Sequence, residues 1–340
     1  MSKTVVVFQK DCILAAGGRE GRFPNLSWVK RIPVSQENSF HKWQRALEEL
    51  EEERKIDPIC LVLPTSLCSA RILQLPYTRG RQMIQMAEEA IKDTIYDEVA
   101  DYTVIYQDKK VGLDICAGSV NKSVLERFIE TCQEADISID SITVPIEGYL
   151  KVLRQLDSYW NSTAIYLFLE EGAITSFLCQ NGRHLYSERS CLLCQPGTLN
   201  FSAEVMETIS GILRFYTGKG ELPVTEVYYV GCSEKEFEIC VEDIENVGLN
   251  ALPLELDGKI LMPDQEKTAD WISCIGAMIY DGKREKEIDL YSVRLDMDKK
   301  KKTKNIFWQL VLPAMILLLG LLSAGAITFL NCMVSMIDLP

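Results

Sequence analysis

Short runs of apolar residues alternate with helically spaced ones over the first 144 residues. The runs are typical of buried strands and fall at 4–8, 12–16, 59–64, 70–75, 102–106, 113–120 and 139–144. Apolar positions three and four residues apart predict a helix at 82–96 and another that begins at a cap on Asn121. A polar stretch predicts a solvent-facing helix at 42–54. This rhythm of strands and helices is typical of mixed α/β architecture.

The second half of the chain restarts in the same style. Apolar runs predict three strands at 163–169, 174–178 and 184–189, with a turn at Gly172 after the first. A helix at 200–216, a strand at 225–230 that ends at Gly231, and a last helix at 269–279 follow. The sequence therefore predicts two similarly built halves.

The longest apolar stretch lies near the C-terminus. No charged residue occurs between Asn305 and Ile337. A helix over 306–330 would be roughly 37 Å long, which is enough to cross the hydrocarbon of a bilayer. We therefore predict one transmembrane helix there, with Pro313 as a tolerated kink. Residues 331–340 would then form a short extracytoplasmic tail.

A lysine cluster before the predicted span sets its orientation. The cluster comprises Lys299, Lys300, Lys301, Lys302 and Lys304. Such a bias holds the N-terminal side of the span in the cytoplasm. The same lysines are suited to anionic lipid head groups, at roughly 1 kcal/mol each, although a topological role alone would also explain them. The N-terminus does not read as a signal peptide, because Gln9, Lys10 and Asp11 interrupt its apolar stretch.

Composition narrows the functions of the predicted cytoplasmic body at 1–283, which a charged juxtamembrane linker at 284–305 follows. The net charge of the whole chain is −13, whereas a protein that binds nucleic acid needs a basic surface. No nucleic-acid partner is therefore expected. The chain has twelve cysteines and two histidines. The Cys191/Cys194 pair is a weak metal signal, since a zinc site needs two more ligands at suitable spacing and none stands out. No metal site and no catalytic residue is predicted.

Several motifs in the body resemble those of the type IV pilus assembly protein PilM. An arginine-bearing strand, Ser69 to Pro76, closes in Leu-Pro; a helix with glutamates and the pair Asp101-Tyr102 come next. A glycine hairpin from Gly172 to Arg189 and a helix ending in Arg214-Phe-Tyr complete the order. The resemblance covers roughly residues 1–282. It implies an actin-like α/β fold, in which a ribonuclease-H-like unit is duplicated.

The segment after the body resembles the start of PilN, a protein of the same assembly. The sequence Glu287-Ile-Asp-Leu-Tyr291 stands where that family has a short cytoplasmic docking segment, just before a membrane helix. An actin-like domain fused to one membrane helix is also the layout of the secretion protein GspL. The resemblance implies that Ile288, Asp289, Leu290 and Tyr291 dock in a groove of the same or a neighbouring body. A disordered linker is the alternative. PilN and GspL continue into a periplasmic domain that these 340 residues do not include, which leaves open both its absence and a truncated sequence.

The nucleotide loops that an actin-like ATPase needs are degenerate here. The hairpin at 8–11 contains no glycine, although a Cβ blocks close approach of the backbone to phosphate. The second loop has Glu170 and Glu171 before Gly172, and the third keeps one glycine, Gly231, of two. Glu170, Gly172 and Gly231 are the candidate nucleotide-binding residues; a solvated turn and plain turn geometry are the alternatives. No cofactor is predicted, with weak ATP binding left open and hydrolysis not expected.

The resemblance implies a scaffold at the bacterial inner membrane, single-pass, with the N-terminus in the cytoplasm. It would link a cytoplasmic motor ATPase to membrane proteins of a type IV pilus or type II secretion platform. A cell-division actin homologue like FtsA and a sugar kinase of the actin-like superfamily are the alternatives. The first uses a peripheral amphipathic helix, and the second needs intact phosphate loops. A homo-oligomer is left open, because Gly320 and Ala324 permit close contact between membrane helices.

Overall fold

A computed structural model describes most of the chain. The described residues are 2–34, 40–56, 58–95, 98–170, 172–217, 222–256, 258–263, 266–280, 286–306, 315, 319, 322–330 and 333, with the backbone alone at 300–306. Contacts divide the chain into one unit at 1–291 and a second at 292–340.

Strands and helices follow one another in two series. The first comprises β1 (Ser2–Phe8), β2 (Cys12–Arg19), β3 (Asn25–Pro33), α1 (His41–Glu53), β4 (Ile59–Val62), β5 (Cys68–Leu75), α2 (Arg81–Thr94), β6 (Glu98–Asp108), β7 (Gly112–Asn121), α3 (Lys122–Glu134), β8 (Ile139–Thr143), α4 (Pro145–Leu153) and α5 (Asp157–Asn161). The second comprises β9 (Thr163–Glu170), β10 (Ala173–Gln180), β11 (Arg183–Cys191), α6 (Leu199–Thr217), β12 (Glu226–Val230), α7 (Glu234–Asn246), β13 (Asn250–Pro253), a 3₁₀ turn (Thr268–Trp271), α8 (Ile272–Met278) and α9 (Leu290–Ile306). Each strand and helix predicted within 4–279 is present.

Two five-stranded sheets share one topology. Their orders are β3-β2-β1-β4-β8 and β11-β10-β9-β12-β13. In each sheet the first three strands form an antiparallel meander. A later strand pairs in parallel with the first strand of the meander, and one more strand pairs in parallel with that later strand. We call the half with the first sheet lobe I and the half with the second lobe II. The repeated topology confirms the two similarly built halves.

A third, smaller sheet is inserted into lobe I between β4 and β8. Its order is β5-β7-β6, and both pairs are antiparallel. Helix α2 covers one face through Ala87 and Ile91, which pack with Tyr102, Leu113 and Ile115 in a cluster of its own. The small sheet therefore has a separate apolar core, and β5 is one of its edges.

Helix α1 corrects the prediction of a solvent-facing helix at 42–54. The helix buries Trp43, Ala46, Leu47 and Leu50 along one face. The Trp43 ring lies 5.2 Å from the Phe128 ring of α3, and 5.4 Å from that of Phe8. These apolar positions recur at helical spacing among many charges, so the overall polarity of the stretch concealed an amphipathic helix.

The prediction missed β3, β13, α4, α5 and α7, and it gave α9 up to residue 305 as a linker rather than as a helix. Helix α7 has the clearest overlooked signal, because Ser233 and Glu236 form a capping box at its start. Helix α4 begins with Pro145 at its first turn, a position that proline favours. Gly148 within α4 obscured the helical pattern, since glycine lowers helix propensity.

The first unit extends to 291, beyond the boundary at 283 that the sequence suggested. The reason is that the residues just before 291 pack onto lobe I, as detailed below. Across the part of the chain that the structure describes, no helix is both long and apolar enough to cross a membrane. Most of the predicted span at 306–330, and the tail at 331–340 apart from Met333, lie outside the described residues.

Candidate functional site

Helices α4 and α8 cross at two glycines where the lobes meet. A Cβ on Gly276 would lie 2.6 Å from the carbonyl carbon of Gly148, so Gly276 accepts no side chain without movement of α4, whereas a Cβ on Gly148 would lie 3.4 Å from the Gly276 backbone. Close approach brings Tyr149 of α4 against lobe II, where its ring stacks on Phe168 with centroids 4.2 Å apart. Helix α4 therefore contributes side chains to two different sites, one between the lobes and one on lobe I.

The first site is a cleft between the lobes, with a cavity of about 420 Å³. Its lining includes the β1–β2 turn at 9–11 and the three candidate nucleotide residues Glu170, Gly172 and Gly231. The fold thus brings the three degenerate loops to one cavity. Across the described residues, no cluster of three or more His, Cys, Asp or Glu side chains could hold a metal ion.

The Glu170 carboxylate is engaged by the protein itself. One oxygen accepts a hydrogen bond from the Thr65 hydroxyl of lobe I, and the other accepts one from the Tyr149 hydroxyl. Burial raises the pKa of Glu170, and these two hydrogen bonds oppose that shift. Burial also raises the pKa of Tyr149, with the neighbouring Glu170 charge acting in the same direction. We call the contacts of Glu170 with Thr65 and Tyr149 the lobe latch, because they join lobe II to lobe I.

Backbone geometry alone accounts for glycine at two of the candidate positions. Gly231 has φ +98°, and a Cβ there would lie 1.9 Å from the Leu169 carbonyl oxygen. Gly172 has φ +75°, which L side chains rarely adopt, although its nearest neighbour would be 3.9 Å away. The turn at 9–11, without glycine, closes with the Gln9 amide donating to the Cys12 carbonyl at 2.9 Å. These glycines are therefore explained without a phosphate ligand.

The second site holds residues 286–291, which we call the docking segment. Ile288 is 2% exposed and Leu290 is 0% exposed, whereas Tyr291 is only partly buried. Gly118 of β7 makes room for Ile288: a Cβ there would lie 3.2 Å from Ile288 Cδ1 and 2.7 Å from Val144 Cγ2. The two aliphatic side chains thus anchor the segment to lobe I.

Asp289 and the main chain around it tie the segment to two strands. The Ile142 amide of β8 donates to Asp289 Oδ1 at 3.1 Å, and the Tyr291 amide donates to the same oxygen at 3.1 Å. The Asp289 amide donates to Asp101 Oδ2 of β6 at 2.9 Å. The second bond to Oδ1 also places the aspartate at the start of α9, where a carboxylate satisfies a free amide.

Charged groups of α4 and β6 complete the docking contacts. The Glu147 carboxylate accepts from the Ile288 amide at 3.2 Å and from the Thr143 hydroxyl at 2.6 Å. Lys151 lies 3.3 Å from Glu147 and 2.7 Å from Glu287. Burial alone would lower the pKa of Lys151, but the two carboxylates raise it overall. Lys286 pairs with Asp101 at 2.5 Å.

The sequence pointed to the docking residues on the segment but missed those that receive them. In the sequence Asp101 stands out only as half of an Asp-Tyr pair, and Glu147 and Lys151 lie on helix α4, which the pattern does not predict. The spacing of four residues between Glu147 and Lys151, which places them on one face of a helix, was the available signal for this pair. Of the flanking lysines, Lys299 is exposed and pairs with Asp296 at 3.2 Å. The side chains of Lys300, Lys301, Lys302 and Lys304 lie outside the described residues.

Comparison with known proteins gives matches among solved structures. A structure of the PilM–PilN type IV pilus biogenesis complex matches with a TM-score of 0.64 at 12% identity, over 81% of this chain and 97% of that one. The cytoplasmic domain of EpsL, an inner-membrane component of the type II secretion system of Vibrio cholerae, matches with a TM-score of 0.47 at 9% identity, over 85% and 98%. A Bacteroides thetaiotaomicron protein with an actin-like ATPase fold matches with a TM-score of 0.49 at 11% identity, over 82% of this chain and 95% of that one.

The first of these likenesses defines the fold. The chain has an actin-like α/β fold, shared with the PilM–PilN complex, and the predicted resemblance is confirmed at that level. No family model matches the sequence. No curated protein matches it either.

Proposed function

We propose that this chain is a membrane-tethered scaffold of the inner-membrane platform of a type IV pilus or type II secretion system. The observation that carries the proposal is the docking segment seated on lobe I through Ile288, Asp289 and Leu290. The related complex contains PilM and PilN. We infer that the actin-like body and the segment that binds it are here parts of one chain.

In this proposal the docking segment couples the body to the bilayer. It leads directly into α9, which continues to the lysine cluster and the apolar stretch at 306–330. Because the segment is fixed by buried side chains and ion pairs, force on the membrane helix reaches lobe I through these contacts. Platform membrane proteins and a cytoplasmic motor ATPase are the proposed partners, at the bacterial inner membrane with the N-terminus cytoplasmic.

Membrane fractionation of the native cell tests the tether. The full chain is expected in the inner-membrane fraction and to need detergent for extraction, whereas a chain ending at 305 is expected in the soluble fraction. The truncated chain keeps the body and the docking segment, so loss of surface filaments or of secretion with it assigns function to the tether. Release of the full chain from the membrane fraction by alkaline carbonate would contradict a transmembrane helix. Intact filaments or secretion in a strain that lacks the protein would contradict the scaffold role.

We further propose that the cleft is a pseudo-ATPase site that does not hydrolyse ATP. The lobe latch supports this, since it occupies the acidic group that an active site would direct at magnesium and phosphate. The glycine-free turn at 9–11 supports it as well. The actin-like body then acts as a binding platform whose lobes are joined by protein contacts.

Calorimetric titration of the full chain in detergent with Mg-ATP and Mg-ADP tests this second proposal. We expect no heat of binding up to millimolar nucleotide, which corresponds to less than about 4 kcal/mol of binding free energy. We also expect no phosphate release above the level of a Glu170→Gln control. Micromolar binding that Gly172→Ala abolishes would show a working pocket, and turnover that Glu170→Gln abolishes would show an enzyme.

A further inference from the structure

A second groove runs between two unpaired sheet edges on lobe I and lobe II. Strand β5 is the edge of the small sheet, and β11 is the edge of the lobe II sheet. The wider part of the groove, about 910 Å³, is lined by every residue from 70 to 74 and every residue from 183 to 187. Successive side chains of a strand point to opposite faces, so a groove that meets all of them approaches both strands edge-on.

The groove continues past this part toward the interlobe helix α4. A neighbouring cavity of about 330 Å³ shares Ala70 and Ser187 with the wider part and adds Cys68 and Arg189 at its far end. The low-numbered end of β5 therefore lies beside the high-numbered end of β11, and the two edges run antiparallel along one groove. Unpaired amides and carbonyls of edge strands are a template for another strand.

Two buried side chains in the groove have unsatisfied polar atoms. His184 and Thr175 are each 4% exposed, and both ring nitrogens of His184 and the hydroxyl of Thr175 have no hydrogen-bond partner among the described residues. Burial lowers the pKa of His184 to about 3, although backbone groups of His184 and Tyr186 act in the opposite direction, so the ring is neutral and offers one donor and one acceptor. Buried polar groups are rarely left unpaired. These three atoms are shielded from solvent by the side chains around them, so a partner in the groove supplies their hydrogen bonds only when those side chains move.

The charged residues that line the wider part of the groove favour a partner with negative charge. Arg71 and Arg183 line it and no acidic residue does, in a chain whose net charge is −13. Arg183 is held by Asp114 at 3.3 Å. Arg71 is exposed, with its guanidinium 3.5 Å from the Thr94 carbonyl. An arriving carboxylate therefore meets Arg71 in the wider part, while the neighbouring cavity adds one acidic residue, Glu188, beside Arg189.

We propose that this groove binds an extended, acidic peptide segment of a protein partner, which adds as a strand between β5 and β11. Main-chain hydrogen bonds to the two edges supply the binding, a carboxylate of the peptide pairs with Arg71, and polar groups of the peptide reach His184 and Thr175. The wider part of the groove shares no lining residue with the docking segment or with the interlobe cavity. The groove proposal can therefore fail without affecting the scaffold proposal.

The probe is a fluorescein-labelled peptide of alternating valine and glutamate, about ten residues long, the upper end of ordinary strand lengths. Strand addition depends on the main chain, so an alternating sequence suffices. Fluorescence anisotropy with the full chain in detergent is expected to show saturable binding of this peptide. The valine–lysine counterpart, and an acidic peptide with proline at alternate positions, are expected not to bind. Hydrogen exchange should slow at 68–74 and 183–189 when the acidic peptide is present.

Arg71→Glu is the decisive variant, because the Arg71 side chain is exposed and its replacement is expected to leave the fold intact. This variant is expected to bind the acidic peptide about ten-fold more weakly and to bind the valine–lysine peptide. Arg22→Glu, the same change on an exposed arginine outside the groove, should leave both affinities unchanged. His184→Phe should weaken the peptide while raising the thermal midpoint of the free protein, since it removes an unsatisfied buried group.

Three results would overturn the proposal. Equal binding of the valine–glutamate and valine–lysine peptides, or no binding of either one, would contradict the addition of a strand that is selected by its negative charge. Slowed exchange at other residues would place the peptide elsewhere. Protection of 68–74 and 183–189 without peptide, together with dimers in sedimentation, would make a second copy of this chain the occupant instead.

Discussion

Replacing Leu290 by aspartate is expected to release the docking segment from lobe I. The Leu290 side chain is 0% exposed, so the variant must either bury a carboxylate without a designed partner or expose the segment. Loss of the buried leucine alone costs about 3 kcal/mol, and the charge adds to it. If the rest of lobe I stays folded, the loss cannot exceed the free energy with which the segment docks.

The Ile142 amide is the reporter for release, because it donates to Asp289 Oδ1. Its hydrogen exchange is expected to accelerate in Leu290→Asp, and the thermal midpoint to fall by roughly 10 °C. Leu295→Asp is the matched control, since Leu295 is 41% exposed and only a few residues further along. Unchanged exchange at Ile142 in Leu290→Asp would show that the segment does not hold lobe I.

The release also separates two roles of the segment in the native cell. Leu290→Asp keeps the predicted membrane helix, so the protein is expected to remain in the membrane fraction. If filaments or secretion are nevertheless lost, then the docked geometry, rather than membrane attachment, carries the function. The chain ending at 305 gives the opposite combination, with the segment docked and the tether gone.

Local pattern sufficed for most of the fold because its elements are strongly periodic. The buried run at 163–169 and the stripe of Val205, Ile209 and Ile212 on α6 each identify one element without reference to the rest of the chain. The repeated order of elements then predicted the duplicated topology. Helix α4 escaped this reasoning, since it packs closely against Gly276, a residue far along the chain that no local pattern connects with it.

The candidate sites show the same division between local and distant information. The segment Ile288-Asp-Leu290 was recognisable as a docking sequence, but its receptors Asp101, Glu147 and Lys151 come from separate elements. Likewise Glu170, two residues before Gly172, marked a degenerate loop. That Thr65 and Tyr149 engage it depends on how the lobes meet, which no local pattern encodes.

Breaking the lobe latch is expected to be the second large effect. Glu170→Ala removes the acceptor for two hydroxyls, on Thr65 and Tyr149, and leaves a cavity between the lobes. We expect a loss of about 3 kcal/mol in the free energy of unfolding, measured by urea denaturation just below pH 4.5, where the raised pKa of Glu170 contributes fully to stability. Glu170→Gln keeps the shape and one acceptor, so its loss should be smaller. Equal stability of the alanine variant and the wild type would show that the contacts do not join the lobes.

The pH dependence of the latch has a definite sign. Burial raises the pKa of Glu170 above its ordinary value of 4.5, so the folded protein holds this proton more tightly than the unfolded chain. The stabilising contribution of the protonated carboxyl is therefore complete below that value and is lost as pH rises through the raised pKa. Glu170→Gln carries no proton to lose, so its stability relative to the wild type should increase over this window. The exposed Glu238→Gln removes the same charge and should show no such increase, and an unchanged difference for Glu170→Gln would place the carboxylate in a solvated turn.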